Sequence, residues 1–276
     1  MGLEFSTSVL PLNSGTSIPQ LGLGVWQARA GRVTQHAVTA ALAAGYRHVD
    51  TASIYGNEKD VGIGIRDSGI PRDQLFVTTK LWNQDQGYDR ALRAFDASLG
   101  RLGLDYVDLY LIHWPVAGQR LESWRALTHI FQEKRARAIG VSNYLVQHLR
   151  ELLDATEVIP AVNQIEVTPF LQRNETRELC RDLGIVVEAY SPLTHGKRLD
   201  HPSLKDIAAT VGRTPAQVLL RWGIQQGMVV LPKSVNEDRI TENANVFDFE
   251  LNPAMMTQLN ALDEGFVTGW NPAEQL

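Results

Sequence analysis

Short apolar segments and longer amphipathic segments alternate along almost the whole chain of 276 residues, and this alternation is what most restricts its fold. Strand-like runs such as Leu75 to Leu81 and Tyr106 to Ile112 are each followed by a helical segment. Strands that alternate with helices favour a parallel sheet, and about eight such units favour closure into a barrel. We therefore predict an α/β fold, a (β/α)8 TIM barrel. We also expect an N-terminal β-hairpin, extra helices before the eighth strand, and a further helix at the C-terminus.

A doubly wound open sheet is the alternative fold, but its dinucleotide-binding fingerprint is poorly met. The pattern Gly22-Leu23-Gly24 has Gln27 where the third glycine belongs, and Gly62-Ile63-Gly64 falls inside a predicted helix. Two glycines without the third are weak evidence, so both patterns are interpreted as structural. No linker or low-complexity stretch interrupts the alternation, which predicts one domain over residues 1–276.

The composition is typical of a globular domain, with 44% hydrophobic and 21% charged residues. The net charge of −5 argues against a general nucleic-acid binder. A single cysteine, Cys180, cannot form an intrachain disulfide, which fits a reducing compartment. The first residues lack a signal-peptide pattern, and no apolar run is long enough to cross a membrane. We therefore expect a cytoplasmic protein that binds neither nucleic acid nor membrane.

Four polar residues lie where apolar strands end. Asp50, Lys80 and His113 are at or near the ends of three predicted strands, and Tyr55 lies in the loop after the first of them. In a barrel, the carboxyl ends of the strands form one face, and functional residues gather there. Each residue also has a simpler interpretation: a turn cap, a surface lysine, a core histidine, a packed aromatic ring. Their joint placement favours one proton-transfer site.

The four side chains suit the reduction of a carbonyl group, which needs a proton donor for the oxygen as hydride reaches the carbon. A free phenol, with a pKa near 10, is a weak acid at neutral pH. A nearby ammonium favours the phenolate, so we expect Lys80 to lower the pKa of Tyr55. Asp50 would hold Lys80 charged, and His113 would fix the angle of the substrate oxygen. The seven histidines are scattered without ligand spacing, so no metal site is expected.

The chain resembles the aldo-keto reductases in several motifs that occur in order along it. They are Asp50-Thr51-Ala52, Tyr55-Gly56-Asn57-Glu58, Thr79-Lys80-Leu81-Trp82, Leu111-Ile112-His113-Trp114-Pro115, Gly140-Val141-Ser142-Asn143, Asn163-Gln164-Ile165-Glu166, Tyr190-Ser191-Pro192-Leu193 and Pro232-Lys233-Ser234. The resemblance extends from about Ile18 to Phe249 and is nearest to the bacterial branch that contains the 2,5-diketo-gluconate reductases.

The resemblance implies an enzyme that reduces aldehydes and ketones to alcohols with NADPH, with Tyr55 as the general acid and Asp50, Lys80 and His113 as its partners. It also implies the residues that hold the cofactor. Those are Ser142, Asn143 and Gln164 at the carboxamide, Tyr190 on the nicotinamide ring, Ser191 and Leu193 along the pyrophosphate, Lys233, Ser234 and Arg239 at the 2′-phosphate, and Glu242 and Asn243 at the adenine. Basic residues beside a helix N-terminus suit a phosphate, which favours NADPH over NADH.

Trp26, Trp82 and Trp114 each follow a strand end, so we predict that they and His113 line the substrate pocket. Trp270 near the C-terminus is expected to fold over it. The loop after His113 is short, which predicts small substrates such as aldehydes, dicarbonyls and keto-sugars. Two other functions stay open, a cofactor-binding subunit like the potassium-channel β-subunits and a barrel isomerase that uses the same phosphate site. The resemblance further implies a monomer.

Overall fold

The computed structural model describes residues 8–274, and its centre is a sheet of eight parallel strands in sequential order. A two-stranded antiparallel hairpin, β1 (Val9–Pro11) and β2 (Ser17–Pro19), precedes the sheet. The eight sheet strands are β3 (Leu23–Gly24), β4 (His48–Asp50), β5 (Phe76–Leu81), β6 (Val107–Ile112), β7 (Ala136–Ser142), β8 (Val162–Glu166), β9 (Val186–Tyr190) and β10 (Val229–Leu231).

A helix follows each sheet strand, which gives the alternation expected from the sequence. The helices are α1 (Arg32–Ala43), α2 (Glu58–Asp67), α3 (Tyr88–Leu102), α4 (Arg120–Gln132), α5 (Val146–Ala155), α6 (Asn174–Asp182), α7 (Pro202–Val211), α8 (Pro215–Gln225), α9 (Glu237–Ala244) and α10 (Pro253–Asn260). Both α7 and α8 precede the last barrel strand, and α10 follows the barrel, so the predicted extra helices are confirmed. Among the described helices, none is long and apolar enough to span a membrane.

The first and last strands of the sheet meet, and this contact closes the barrel. The backbone N–H of Gly24 donates to the carbonyl of Pro232 at 3.1 Å, and that of Gly22 donates to Val230 at 3.0 Å. Parallel bridges join Leu21 to Val230 and Gly24 to Lys233. The predicted (β/α)8 barrel is therefore confirmed, and the carboxyl ends of its strands share one face.

Alternate residues of each strand face two different apolar cores, because side chains in a strand point to opposite faces. Outward-facing residues pack against the helices in the larger core, which includes Tyr110 and Ile112 of β6. Inward-facing residues of the barrel form a smaller core with the hairpin. Its members are Leu12, Ile18, Phe76, Leu109, Leu111, Ala138, Ala161, Val162, Val229 and Leu231. The hairpin residues Leu12 and Ile18 therefore close the amino-terminal end of the barrel with apolar side chains.

The glycines of Gly62-Ile63-Gly64 serve helix packing, as the sequence interpretation held. Both lie within α2, and a Cβ on Gly62 would fall 2.0 Å from the carbonyl oxygen of Leu102 at the end of α3. Only a residue without a side chain allows α2 and α3 to approach this closely.

The sequence pattern after the strand Tyr106 to Ile112 predicts a helix over Leu121 to Arg135, but α4 ends three residues earlier, at Gln132. Lys134 adopts a left-handed conformation, with φ 61°, which turns the chain into β7 at Ala136. Lysine has no side-chain preference for this conformation, so the sequence carries little local signal for the turn.

Candidate active site

The structure brings Asp50, Lys80, Tyr55 and His113 together at the carboxyl face of the barrel. Asp50 is the last residue of β4, Lys80 lies on β5, and His113 directly follows β6. Tyr55 ends a short 3-10 turn, Ser53–Tyr55, after β4. The Lys80 Nζ lies 5.1 Å from the centre of the Tyr55 ring, and the Tyr55 and His113 rings are 5.6 Å apart, edge to face.

Lys80 and Asp50 form a buried ion pair in the barrel interior. Lys80 Nζ donates to Asp50 Oδ1 at 2.6 Å and to the carbonyl of Thr51 at 2.9 Å, and the Lys80 side chain is fully buried. Burial by itself lowers the pKa of Lys80, but the charge of Asp50 and the neighbouring Tyr55 outweigh it, and the pKa lies above its usual value. Lys80 is therefore a cation at neutral pH, held in one orientation.

Tyr55 has a raised pKa, which corrects the expectation from the sequence. Burial raises the pKa most, and the charge of Asp50 raises it further. The attraction of Lys80 does lower it, as expected, but does not outweigh the burial. The free protein therefore keeps Tyr55 protonated at neutral pH, as an oriented hydrogen-bond donor beside a fixed cation.

His113 is a neutral side chain with one ring nitrogen that lacks a partner. Burial, and secondly the charge of Lys80, place the pKa of His113 well below its usual value. The buried Nδ1 has no hydrogen-bond partner within residues 8–274. The backbone carbonyl of His113 accepts a bond of 2.9 Å from Asn143 Nδ2, which fixes the end of β6 to the end of β7.

The four predicted nicotinamide-binding residues are joined by hydrogen bonds across β7, β8 and β9. Ser142 Oγ donates to the backbone carbonyl of Gln164 at 2.9 Å, and Asn143 Nδ2 donates to Ser142 Oγ at 3.1 Å. Tyr190 Oη donates to Asn143 Oδ1 at 2.8 Å. These bonds fix the hydroxyl, amide and ring groups in one patch beside Asp50.

Gln164 connects this patch to the ion pair and to a residue that the sequence interpretation missed. Its Nε2 donates to Asp50 Oδ2 at 2.9 Å and to Glu188 Oε2 at 2.6 Å. Glu188 lies on β9, two residues before Tyr190, and is completely buried. A charged residue within an apolar strand run was the available signal for it, since such residues are rarely fully buried without a partner.

The loop after β9 holds Ser191 and Leu193 in a strained turn. Ser191, Thr194 and His195 all have positive φ, from 49° to 53°. The Ser191 hydroxyl lies 2.9 Å from His195 Nε2, and the His195 ring lies 5.5 Å from Trp26. Since non-glycine residues rarely adopt this conformation, the loop has a backbone shape that its sequence does not favour.

The predicted phosphate-binding residues follow β10, near the N-terminus of α9. Lys233 and Arg239 are exposed, whereas Ser234 is buried and its hydroxyl accepts from the backbone N–H of Asn236 at 3.1 Å. Asn236 caps α9 by accepting from the N–H of Arg239. The two exposed cations beside this helix start suit a phosphate group.

Glu242 and Asn243 lie one turn further along α9 and turn partly toward α8. Glu242 is half-buried, and its Oε1 accepts a bond of 2.8 Å from the Thr214 hydroxyl, while Asn243 is buried. Thr214 is the N-cap of α8. Glu242 therefore stabilises the contact between two helices, and its role at the adenine stays a prediction.

Aromatic rings lie beside His113 and in the loop that follows it. Trp82 lies 5.3 Å from His113, ring centre to ring centre, and Trp114 lies 5.9 Å from Trp270. Thr268 donates to Glu166 on β8 through both its backbone N–H and its hydroxyl, which ties the C-terminal segment to the barrel. Trp270 thus lies beside Trp114 in the loop after β6, with 66% of its surface exposed, and its folding over a substrate pocket stays a prediction.

The comparisons with known proteins agree with this geometry. The sequence model of the aldo/keto reductase family matches residues 20–264. The chain is 49% identical to glyoxal reductase of Bacillus subtilis, over 96% of both chains, and 50% identical to morphine 6-dehydrogenase of Pseudomonas putida, over 96% and 95%. A solved aldo-keto reductase of Bombyx mori in complex with NADP superposes with a TM-score of 0.90 at 36% identity, covering 95% and 94% of the two chains. The chain belongs to the aldo/keto reductase family.

Proposed function

We propose that this protein is an NADPH-dependent oxidoreductase that reduces the carbonyl groups of small molecules, with Tyr55 as the general acid. The observation that carries the proposal is the buried Lys80–Asp50 pair beside the Tyr55 ring. NADPH as the cofactor is supported by the NADP complex of the solved relative. When bound, the cofactor supplies hydride to the carbonyl carbon.

The side chains of this protein would manage the oxygen of the substrate. As negative charge develops on that oxygen, Tyr55 is placed to give up its proton, because Lys80 offsets the charge left on the phenolate. Neutral His113 can donate a hydrogen bond without competing as an acid, which orients the oxygen toward Tyr55. Asp50 keeps Lys80 charged and fixes where its ammonium lies.

The surrounding residues fit a nicotinamide dinucleotide. Ser142, Asn143 and Gln164 present polar groups for a carboxamide, and the half-buried Tyr190 ring offers a flat surface beside them. Ser191 and Leu193 follow Tyr190 in the loop after β9, and we assign them as the neighbours of the pyrophosphate. At α9, Ser234, Glu242 and Asn243 would surround the adenosine end, while Lys233 and Arg239 would pair with the 2′-phosphate.

Small aldehydes, dicarbonyls and keto-sugars are the proposed substrates. Trp26, Trp82 and Trp114 would form the pocket walls, since aromatic rings exclude water and pack on sugar or alkyl surfaces. The name glyoxal reductase in a relative supports a dicarbonyl, and the name morphine 6-dehydrogenase in another indicates that larger alcohols and ketones deserve testing.

NADPH oxidation should be measured over a panel of aldehydes, dicarbonyls, keto-sugars and one steroid ketone, with wild type beside Tyr55→Phe. The variant should lose at least about a hundredfold in kcat, the scale of general acid catalysis, and bind NADPH as before. Tyr110→Phe is the matched control, because the buried Tyr110 hydroxyl has no hydrogen-bond partner within residues 8–274. Wild-type rates for Tyr55→Phe would refute the assignment of the acid. Tight NADPH binding without turnover on any substrate would instead favour the cofactor-binding subunit.

A further inference from the structure

Glu188 is a fully buried carboxyl group inside the barrel that the proposed reaction does not use. It shares the amide of Gln164 with Asp50, because Gln164 Nε2 lies 2.6 Å from Glu188 Oε2 and 2.9 Å from Asp50 Oδ2. Its second oxygen, Oε1, has no hydrogen-bond partner in the described structure and lies 3.6 Å from His48 Nε2. An unpartnered buried oxygen is costly as part of an anion and much less costly as part of a neutral acid.

We propose that Glu188 is a positioning residue of the active site, which acts through Gln164 on Asp50 and Lys80 and whose loss of a proton at alkaline pH slows carbonyl reduction. The inference rests on the proposed function of the site.

Asp50 and Glu188 together hold the amide of Gln164 in one orientation. The Asp50 carboxylate can only accept, so the NH2 of Gln164 must face it, and the second hydrogen of this NH2 is donated to Glu188 Oε2. The carbonyl oxygen of Gln164 is then the atom left free for a ligand. Without the bond to Glu188, the amide would keep only its bond to Asp50 and could rotate, and Asp50 would lose part of its support.

The groups around Glu188 explain why its proton matters. Burial raises the pKa of Glu188 most and the charge of Asp50 raises it further; the hydrogen bond from Gln164 and the charge of Lys80 lower it by less, and the pKa lies at about 8. From β4, His48 and Asp50 face it; from β5, Lys80; and from β8, Gln164. His48 offers no positive charge, because burial lowers its pKa to about 3. β10 contributes only the apolar residues Val229, Val230 and Leu231 on the other side of β9.

An ionised Glu188 would place a second carboxylate, beside that of Asp50, near the Lys80 ammonium. The negative charge of Glu188 raises the pKa of Tyr55, as that of Asp50 does. A more weakly acidic Tyr55 gives up its proton less readily, so reduction should slow as Glu188 ionises. Glu188→Gln keeps the shape and the neutral state of the protonated acid and removes the ionisation.

The experiment compares the pH dependence of kcat for NADPH-driven reduction in wild type and Glu188→Gln, on one aldehyde that wild type reduces. Wild type should lose at least about threefold in kcat as pH rises through a step near 8. Glu188→Gln should lack the step, so that its kcat stays level through the pH range in which wild type loses activity. Asp108→Asn is the matched control, because Asp108 is also a buried carboxyl with a raised pKa but pairs with Arg72 at the amino-terminal end of β6. It should keep the step.

A second measurement does not depend on activity. In infrared spectra of the free protein, wild type should show a protonated carboxyl band that disappears near pH 8 and that Glu188→Gln lacks. Any of three results would overturn the inference: a wild-type kcat that does not change between pH 7 and pH 9, a step in kcat that persists in Glu188→Gln, or the absence of the infrared band. If the infrared band is present but neither wild type nor the variants reduce any carbonyl compound, the proposed function is wrong and not the protonation of Glu188.

Discussion

Lys80→Met tests how much the free energy of unfolding falls when one member of the buried Lys80–Asp50 ion pair is removed. The substitution keeps the length of the apolar stem but removes the only positive charge within hydrogen-bonding distance of Asp50 in the described structure. Asp50 would keep its bond from Gln164 and lose its charged partner at 2.6 Å. Removing one member of a buried pair costs about 3 to 5 kcal/mol, because the other charge remains unpaired.

For a chain of this size, each kcal/mol moves the unfolding midpoint by about 2 to 4 °C, so Lys80→Met should unfold about 6 to 20 °C lower than wild type.

Thermal unfolding followed by circular dichroism, with NADPH absent, measures the midpoint. The double variant Asp50→Asn with Lys80→Met carries no buried charge from this pair and should recover at least half of the loss. Asp50→Asn alone should be destabilised, because it leaves the Lys80 ammonium without its counter-charge. A Lys80→Met midpoint within about 2 °C of wild type, or a double variant no more stable than either single one, would refute the reasoning.

Three further predictions concern the cofactor, the helix packing and the acid limit. Lys233→Ala should raise KM for NADPH by about ten- to a hundredfold, since one charge-assisted bond to the 2′-phosphate contributes about 1.5 to 3 kcal/mol. KM for NADH should be unchanged, because NADH lacks this phosphate. Steady-state rates with both cofactors measure the two KM values. Gly62→Ala should destabilise the folded state, because the new Cβ would lie 2.0 Å from the backbone oxygen of Leu102. Gly100→Ala, in α3 with open space around it, should instead stabilise the folded state by about 0.5 to 1 kcal/mol. Thermal melts of both variants measure the two effects. His113 has a lowered pKa, so the free energy of unfolding should fall as pH drops below about 6.5, because the imidazole is then protonated in the unfolded chain and stays neutral in the folded one. Urea titrations of wild type and His113→Gln at two pH values measure the direction of this change and how much of it His113 causes.

The barrel and its four polar residues were predictable because both depend on local pattern. Alternating apolar and amphipathic runs identify strands and helices, and barrel closure then brings the ends of β4, β5 and β6 to one face. Asp50, Lys80 and His113 are recognisable at those ends by residue type alone. Tyr55 follows because its loop begins where β4 stops.

The properties that depend on distance between strands were not predictable. The raised pKa of Tyr55 results from burial, which composition cannot measure, and the sequence led to the opposite sign. The bonds of Gln164 join three strands, 114 positions apart in the case of Asp50 and 24 in the case of Glu188. The turn at Lys134 and the strained loop at Ser191 use conformations that their residue types do not favour, so tertiary contacts determine them.

Because the two sides of the barrel wall pack into separate cores, stability and substrate preference can change separately in evolution. On β6, Tyr110 and Ile112 face the helices, while Leu109 and Leu111 face the inner core and His113 follows at the mouth. Selection for a more stable protein can act on the first set without moving the proposed catalytic groups. Selection for a new substrate can act at the mouth, where a changed side chain leaves the helix contacts in place.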